Sequence, residues 1–306
     1  MDTKELEYLI AVYEEGSIAK AALRLYMAQS SLSQAISVME TRAGVRFFVR
    51  TSTGVRLTSA GEAMISYAYK TLDEYRQLKN RMQDMENKEE GSVRLGISSF
   101  RGSYFLPPVF TLLRKRYPNI HVEIVEANSM ALETMLSTGN LDLAMLVAPL
   151  SNKRIKSRKL MEDEICLIVN KDHPVLAKAH PSSKDAKTGI PLSIALKDTG
   201  SYEYLLGETH SILGREGRRF FNTEGIRPLS YNSELTALFA ASLAAEGAGI
   251  AFTYYSSRHY FREAEFLSLD RSDAFISLVM GMPPGRYHSH SAEILNNLFF
   301  EVYAKE

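Results

Sequence analysis

The chain is short of cysteine, of net charge and of uninterrupted apolar sequence, and each shortage closes off a class of protein. Its 306 residues include one cysteine, Cys166, so no disulfide forms within the chain. Cys166 lies in the apolar run EICLIV, where a thiol reads as a small buried hydrophobe rather than a redox centre. Basic and acidic side chains balance at 36 each, which argues against a protein that is basic all over. The opening residues MDTKELEYLI hold acids and no apolar stretch, so they do not read as a secretory leader. The most membrane-like segment, LTALFAASLAAEGAGIAFTYY (235–255), carries Glu246 and then Gly247 and Gly249. It reads as a helix stopped by glycine and followed by a buried strand, not as a span. No G-x-S-x-G occurs, GAGIAF follows a helical pattern instead of opening one, and the seven histidines never take metal-ligand spacing. An enzyme, a metal or cofactor site and a secreted solute-binding protein all lack their marks. The expectation is a reduced, cytoplasmic, non-enzymatic protein.

What is present is unevenly placed. Residues 17–58 hold Lys20, Arg24, Arg42, Arg46, Arg50 and Arg56 against Glu40 alone, whereas 59–90 is slightly acidic. A basic patch on a neutral chain fits a small module that meets phosphates, joined to parts that do not. The first 57 residues read as three short helices and a hairpin. KELEYLIAVYEEG spaces Leu6, Leu9, Ile10 and Tyr13 by threes and fours and stops at Gly16. Ser17 can cap IAKAALRLY. A third helix begins near Ser30 and buries Leu32, Ile36, Met39 and Ala43 before Gly44, and RFFVRTSTGVRLT alternates as a two-stranded hairpin. From Thr58 to about Asn87 one long helix carries a seam of Met64, Ala68, Leu72, Tyr75, Leu78, Met82 and Met85. A partner helix, from this chain or a second copy, would cover it. NKEEGS (87–92) then reads as a hinge. Beyond it, strand candidates at 93–97, 121–127, 141–147, 164–169, 192–196, 249–253 and 275–280 alternate with helical patterns. That predicts an α/β region with mainly parallel sheets, large enough for two subdomains.

Helix, tight turn and helix, with the second helix apolar beneath and polar above, is the pattern of a helix-turn-helix. With Leu32, Ile36 and Met39 turned inward, Gln29, Ser30, Ser31, Ser33, Gln34 and Ser37 line or flank the outer face. Gln matches the paired donor and acceptor of an adenine edge, and Ser serves either partner. Arg50 and Arg56 flank the hairpin tip, where a wing would meet the backbone phosphates. Double-stranded DNA is the expected partner.

These residues resemble the N-terminal winged helix-turn-helix of LysR-type transcriptional regulators. The likeness rests on Gly16-Ser17, Ala21-Ala22, Leu25, Gln29, Ser33, Ile36, Glu40, Gly44, Phe48, Arg50 and Leu57-Thr58-x-Ala60-Gly61, and continues weakly in Leu106-Pro107, Tyr117-Pro118, Gly139-x-Leu141-Asp142, His173-Pro174 and Gly247-x-Gly249-Ile250. Ser30 stands where that family often has Pro, and Gln34 where a basic residue is common, which bears on the operator sequence rather than on the fold. The resemblance implies a winged helix-turn-helix at 1–58, a linker and dimerisation helix at 59–90, and a two-lobed, Rossmann-like effector domain at 92–306, similar to periplasmic binding proteins. Lobe I would take about 92–163 and 268–306, lobe II about 164–267. It also implies a homodimer through the linker helix, working as a dimer or as a dimer of dimers, RNA polymerase as a further partner, and a small-molecule effector between the lobes.

Ligands of open α/β sheets sit at strand C-termini. Ser98, Ser99 and Arg101 follow the first strand of this region, Asn128 and Ser129 the second, and Pro149 the third. Arg101 is suited to a carboxylate, and the neighbouring helix start favours a small anion. Tyr202 and Tyr204 are expected to form an aromatic wall, with Thr253 ending a strand beside them.

Overall fold

Asp2 opens the first helix. Its carboxylate accepts from Glu5 N at 2.8 Å while Glu5 accepts from Asp2 N at 3.1 Å, a capping box that starts α1 (Thr3–Glu15). Gly16, at φ 60°, ends it, and Ser17 caps α2 (Ile18–Arg24). The third helix, α3 (Gln29–Ala43), begins one residue before the expected start and stops at left-handed Gly44. Strands β1 (Phe48–Thr51) and β2 (Gly54–Leu57) form the antiparallel hairpin, and α4 (Ser59–Met85) is the long helix. This computed structural model describes residues 1–51, 54–86, 89–182 and 189–304; the hairpin tip at 52–53 and the first part of the expected hinge, 87–88, lie outside them. The chain forms two compact units, 1–88 and 89–306.

In the first unit Leu6, Leu9, Ala21, Ala22, Leu32, Ile36, Met39, Phe47, Ile65 and Ala68 share one core. Ala43 was expected in it but is exposed, because α3 has already run past the core there. Glu40, by contrast, is buried. Its carboxylate accepts from Phe47 N at 2.7 Å and Phe48 N at 3.1 Å and meets Arg46 at 3.1 Å, so it binds the end of α3 to the start of the hairpin. A buried carboxylate is tolerated because those donors replace water. The long helix divides its seam. Met64, Ala68 and Leu72 pack on the core of this unit, while Tyr75, Leu78, Met82 and Met85 stay exposed.

The second unit follows the chain as β3 (Gly91–Ile97), α5 (Ser99–Arg116), β4 (Ile120–Glu126), α6 (Ser129–Thr138), β5 (Leu143–Ala148) and β6 (Lys156–Asn170). Two-residue strands β7 (His180–Pro181) and β8 (Leu192–Ser193) come next, then β9 (Glu203–Gly207), α7 (Ile212–Glu224), β10 (Leu229–Leu235), α8 (Ala237–Ala245), β11 (Ile250–Tyr254), β12 (Ala264–Ser268), β13 (Phe275–Met282) and α9 (His290–Tyr303). Parallel β4, β3 and β5 form one lobe, and parallel β10, β9 and β11 the other. Mainly parallel sheets were expected; these parallel triplets are present, within a mixed sheet. Antiparallel β6 and β13 join them into a single eleven-stranded sheet.

The run EICLIV is only the back half of β6, which crosses between lobes. Its front half, KSRKLMED, is charged because it lies on the edge of its lobe, and that charge hid the strand. The expected strand LSIAL (192–196) contributes two residues and then turns into a short helix at Leu196–Thr199. Segment 235–255 is α8 followed by the fully buried β11. No helix among the described residues is long and apolar enough to cross a membrane. Cys166 is buried on β6, and that burial pushes its thiol pKa well up.

Removing the Glu40 carboxylate leaves two buried N–H groups without acceptors, each worth roughly 1–3 kcal/mol. Glu40→Ala should therefore destabilise the first unit by about 3 kcal/mol and leave the second alone. Urea unfolding followed by circular dichroism should show one transition moving to lower denaturant while the other stays.

Candidate functional site

On α3 the apolar underside holds and the upper face is left free. Leu32, Ile36 and Met39 are buried; Gln29, Ser30, Ser31, Gln34 and Ser37 are exposed and Ser33 half-buried. The N-cap of this helix is Ala28, which has no side chain to cap with. Ser30 and Ser31 therefore do not serve as caps, the ordinary use of serine at a helix start. Among the described residues none of the six polar side chains makes an intramolecular hydrogen bond, although the Ser37 carbonyl accepts from Thr41 Oγ1 at 2.8 Å. The uncapped N-terminus and the free hydroxyl and amide groups together form a surface suited to phosphate and base edges.

The basic patch is smaller than its sequence count. Arg24 pairs with Glu14 at 2.6 Å and Glu15 at 3.4 Å, Arg42 with Glu5 at 3.0 Å, and Arg46 with Glu40. Three of those acids belong to α1, outside the window that made the patch look basic. Among the described residues no acid meets Lys20, Arg50 or Arg56, and all three are exposed. Arg50 lies opposite Val55 and Arg56 opposite Val49. Cross-strand partners share a face, so the two arginines leave the hairpin on opposite faces.

In the second unit the crossing point of β6 gathers a buried polar group. Asp163 Oδ1 accepts from Ser256 N and Glu164 N, both at 3.0 Å, and Oδ2 from Ser256 Oγ at 2.6 Å. Tyr104 Oη and Ser256 Oγ are 3.0 Å apart. Phe100 and Tyr104, on α5 of one lobe, pack on Tyr254 and the core of the other. Burial holds the Asp163 carboxyl above its usual range, against the hydrogen bonds from Ser256.

Arg101, expected shortly after the first strand of this unit, belongs to the helix that follows it. It lies within α5, is 4% exposed, and sets its guanidinium 4.1 Å from the centre of the Tyr254 ring. Its Nε and Nη2 are buried with no hydrogen-bond partner. Burial works against the charge, yet Tyr254, Tyr104 and Asp163 outweigh it and the guanidinium pKa is raised. Asp163 is near enough to favour the charge, but two buried donors of the cation are left without acceptors.

The other expected ligand residues divide. Ser98 is half-buried at the N-cap of α5 and makes no cap hydrogen bond; exposed Ser99 donates to Glu126. Asn128 caps α6 by accepting from Ala131 N at 3.0 Å, next to half-buried Ser129, and Pro149 is exposed after β5. Tyr202 and Tyr204 are corrected. Strand β9 runs parallel to β11, with Tyr204 beside Ile250, whereas Tyr254 lies beside Ile165 near the crossing. The tyrosines therefore stand at the end of β9 remote from the crossing. Tyr204 is 0% exposed, its hydroxyl 2.6 Å from Thr199 Oγ1, and Tyr202 packs near His173 and Lys178. Thr253 is also buried, sharing a hydrogen bond with Ser257. Gly207, Glu208 and Thr209 occupy the end nearer the crossing instead. Beside them Arg215, exposed on α7, opposes the rise that burial gives the Tyr254 phenol, as Arg101 does. No sequence signal separated the two ends of β9, because an unrecognised strand has no direction.

A winged helix-turn-helix joined to a two-lobed α/β domain with a polar, arginine-bearing crossing is the build of a ligand-responsive DNA-binding regulator. Residues 3–62 match the family model of the bacterial regulatory helix-turn-helix protein, lysR family, and residues 86–299 that of the LysR substrate binding domain. The chain belongs to the LysR family, as a DNA-binding transcriptional regulator with a C-terminal effector-binding domain. It is 28% identical to the HTH-type transcriptional regulator AlsR of Bacillus subtilis (strain 168) over 85% of this chain and 83% of that one. It is 32% identical to the HTH-type transcriptional regulator ShiR of Corynebacterium glutamicum (strain R), over 56% of this chain and 59% of that one. Both relatives are transcriptional regulators, in line with a regulator rather than an enzyme. In fold it is similar to full-length CbnR complexed with its target DNA, at a TM-score of 0.66 and 18% identity over 100% and 99% of the two chains. Full-length BenM gives 0.55 and 24% over 100% and 97%.

Proposed function

We propose that α3 reads the major groove through Gln29, Ser30, Ser31, Ser33, Gln34 and Ser37, while Arg50 and Arg56 hold phosphates on either side of the wing. The observation that carries this reading is a set of polar side chains on one helix face that neither cap the helix nor bond within the protein. In this reading 1–58 is the DNA-binding module, 59–90 the linker and 92–306 the effector domain, working in the cytoplasm.

The exposed half of the α4 seam supports a homodimer formed through Tyr75, Leu78, Met82 and Met85, on which a tetramer would be built. Leu72 belongs to the core of its own unit and takes no part. The idle donors of Arg101 support a small organic anion as the effector, a carboxylate being the simplest, bound at the crossing near Ser98, Ser99, Asn128, Ser129 and Pro149. Such a ligand would supply acceptors for those donors and favour the lobe arrangement that lets it do so, by no more than its preference between the two states.

Gln34→Ala should weaken binding to a duplex recovered by in vitro selection with the intact protein by roughly 1–3 kcal/mol, and leave binding to random duplex unchanged. Equal losses on both in a gel shift would contradict groove readout, and a selection that enriches no sequence would contradict the reading as a whole. Leu78→Asp with Met82→Asp should lower the sedimenting mass to that of a monomer without lowering the melting temperature; a mass that stays put rules out the seam. Arg101→Met removes the buried cation and its two idle donors, and should lower the melting temperature somewhat, since Asp163 then loses the nearby charge that favours its ionised form. The same variant should lose every rise in melting temperature that a panel of small carboxylates gives the intact protein. A carboxylate that stabilises both proteins equally would place the anion elsewhere.

A further inference from the structure

The lobe containing β3, β4 and β5 ends in a strongly basic edge. Lys153, Arg154, Lys156, Arg158 and Lys159 fall within seven residues, all exposed, on the approach to β6 and its front half. That half of β6 pairs with β13 on one side; β11 and β12 join β6 only from Ile165 onward. Its other side is an open edge of the lobe. The first acid on the strand is Glu162, which takes Lys159 at 2.8 Å. Among the described residues no carboxylate meets Lys153, Arg154, Lys156 or Arg158. Arg158 instead lies with its guanidinium carbon 3.9 Å from the centre of the Phe300 ring.

An open edge is ordinarily guarded by a charge or two that deter a second strand. Five cations so close together exceed that need and repel one another. Elsewhere in this unit exposed arginines do take acids, Arg116 with Glu301 and Arg219 with Asp273, and those without one are scattered singly rather than gathered in one run. The same pattern of cations without acids occurs in the first unit at Lys20, Arg50 and Arg56, around the surface that faces DNA. Strand geometry sets Lys156 and Arg158 about 7 Å apart on one face, a row suited to successive phosphates rather than to a compact ligand.

We infer that the edge formed by Lys153, Arg154, Lys156 and Arg158 is a second phosphate-binding surface, which holds duplex DNA flanking the stretch read by the helix-turn-helix. This rests on the chain being a DNA-binding regulator but not on which bases α3 reads. The surface contributes affinity without sequence preference, and it lies on the strand that continues into the crossing at Asp163.

The test uses the full chain, duplexes of arbitrary sequence about 15 and about 150 base pairs long, and gel shifts from 50 to 200 mM NaCl. The triple variant Lys153→Gln, Arg154→Gln, Lys156→Gln should bind the short duplex as before. On the long duplex the slope of log affinity against log salt should fall by about 2.7, three phosphate contacts at 0.9 each. Lys153→Arg with Lys156→Arg should keep the slope, which separates charge from edge packing. Arg50→Gln with Arg56→Gln should lower the slope on both lengths. An unchanged long-duplex slope in the triple variant, or an equal fall on both lengths, overturns the inference. Aggregation of the triple variant with the slope intact would leave the edge a guard against strand pairing and overturn it equally. Should the Arg50 and Arg56 variant bind both lengths as before, the wing reading fails by itself.

Discussion

A helix that reads DNA has to leave its outer side chains uncommitted, so everything that fixes its position must come from underneath. In this protein Leu32, Ile36 and Met39 provide the apolar hold, and Glu40 adds a directional one by gripping the first two amides of the hairpin region. Apolar contacts alone are non-directional; the carboxylate fixes where the wing begins relative to the reading helix. The uncapped start at Ala28 and the unbonded Gln and Ser groups follow from the same division of labour. They are costs to local stability that tertiary packing absorbs, because helices in proteins are held more by burial than by their own propensity.

The second unit solves a comparable problem with one long strand. Strand β6 belongs to both lobes: its front half pairs with β13 and its back half with β11 and β12. At the changeover stand Asp163 and, across from it, Arg101, Tyr104, Tyr254 and Ser256, which join elements of both lobes in a buried polar cluster. A fully satisfied cluster would lock the lobes. This one is left incomplete at Arg101, and it is on that shortfall that the proposed anion would act. The front half of the same strand carries the unpaired basic edge, so phosphate contact and effector contact would share one element.

The first unit was largely legible from its residues. Helix stops at Gly16 and Gly44, the buried face of α3 and the hairpin follow from three/four spacing, alternation and glycine, all of which are local. Its misreadings were matters of distance in space. Arg24, Arg42 and Arg46 counted as a basic patch until α1 and the buried Glu40 met them. The α4 seam, by contrast, was expected to meet a helix of this chain or of a second copy, and its first half does pack within its own unit. In the second unit Tyr202 and Tyr204 were expected to wall the effector site although they stand at the end of β9 remote from the crossing, and Arg101, expected just after a strand, is buried within α5.

Periodicity, caps and the polar outer face of α3 are carried by residues at most four apart, so the sequence by itself determined a winged helix-turn-helix, a long helix and an α/β remainder, and with them the class of protein. Which end of a strand faces the crossing, which cations keep an acid and which side chain is buried without a partner depend on residues dozens to a hundred positions apart. Only tertiary packing decides those, because burial and countercharge are properties of a neighbourhood in space, and no spacing along the chain encodes them.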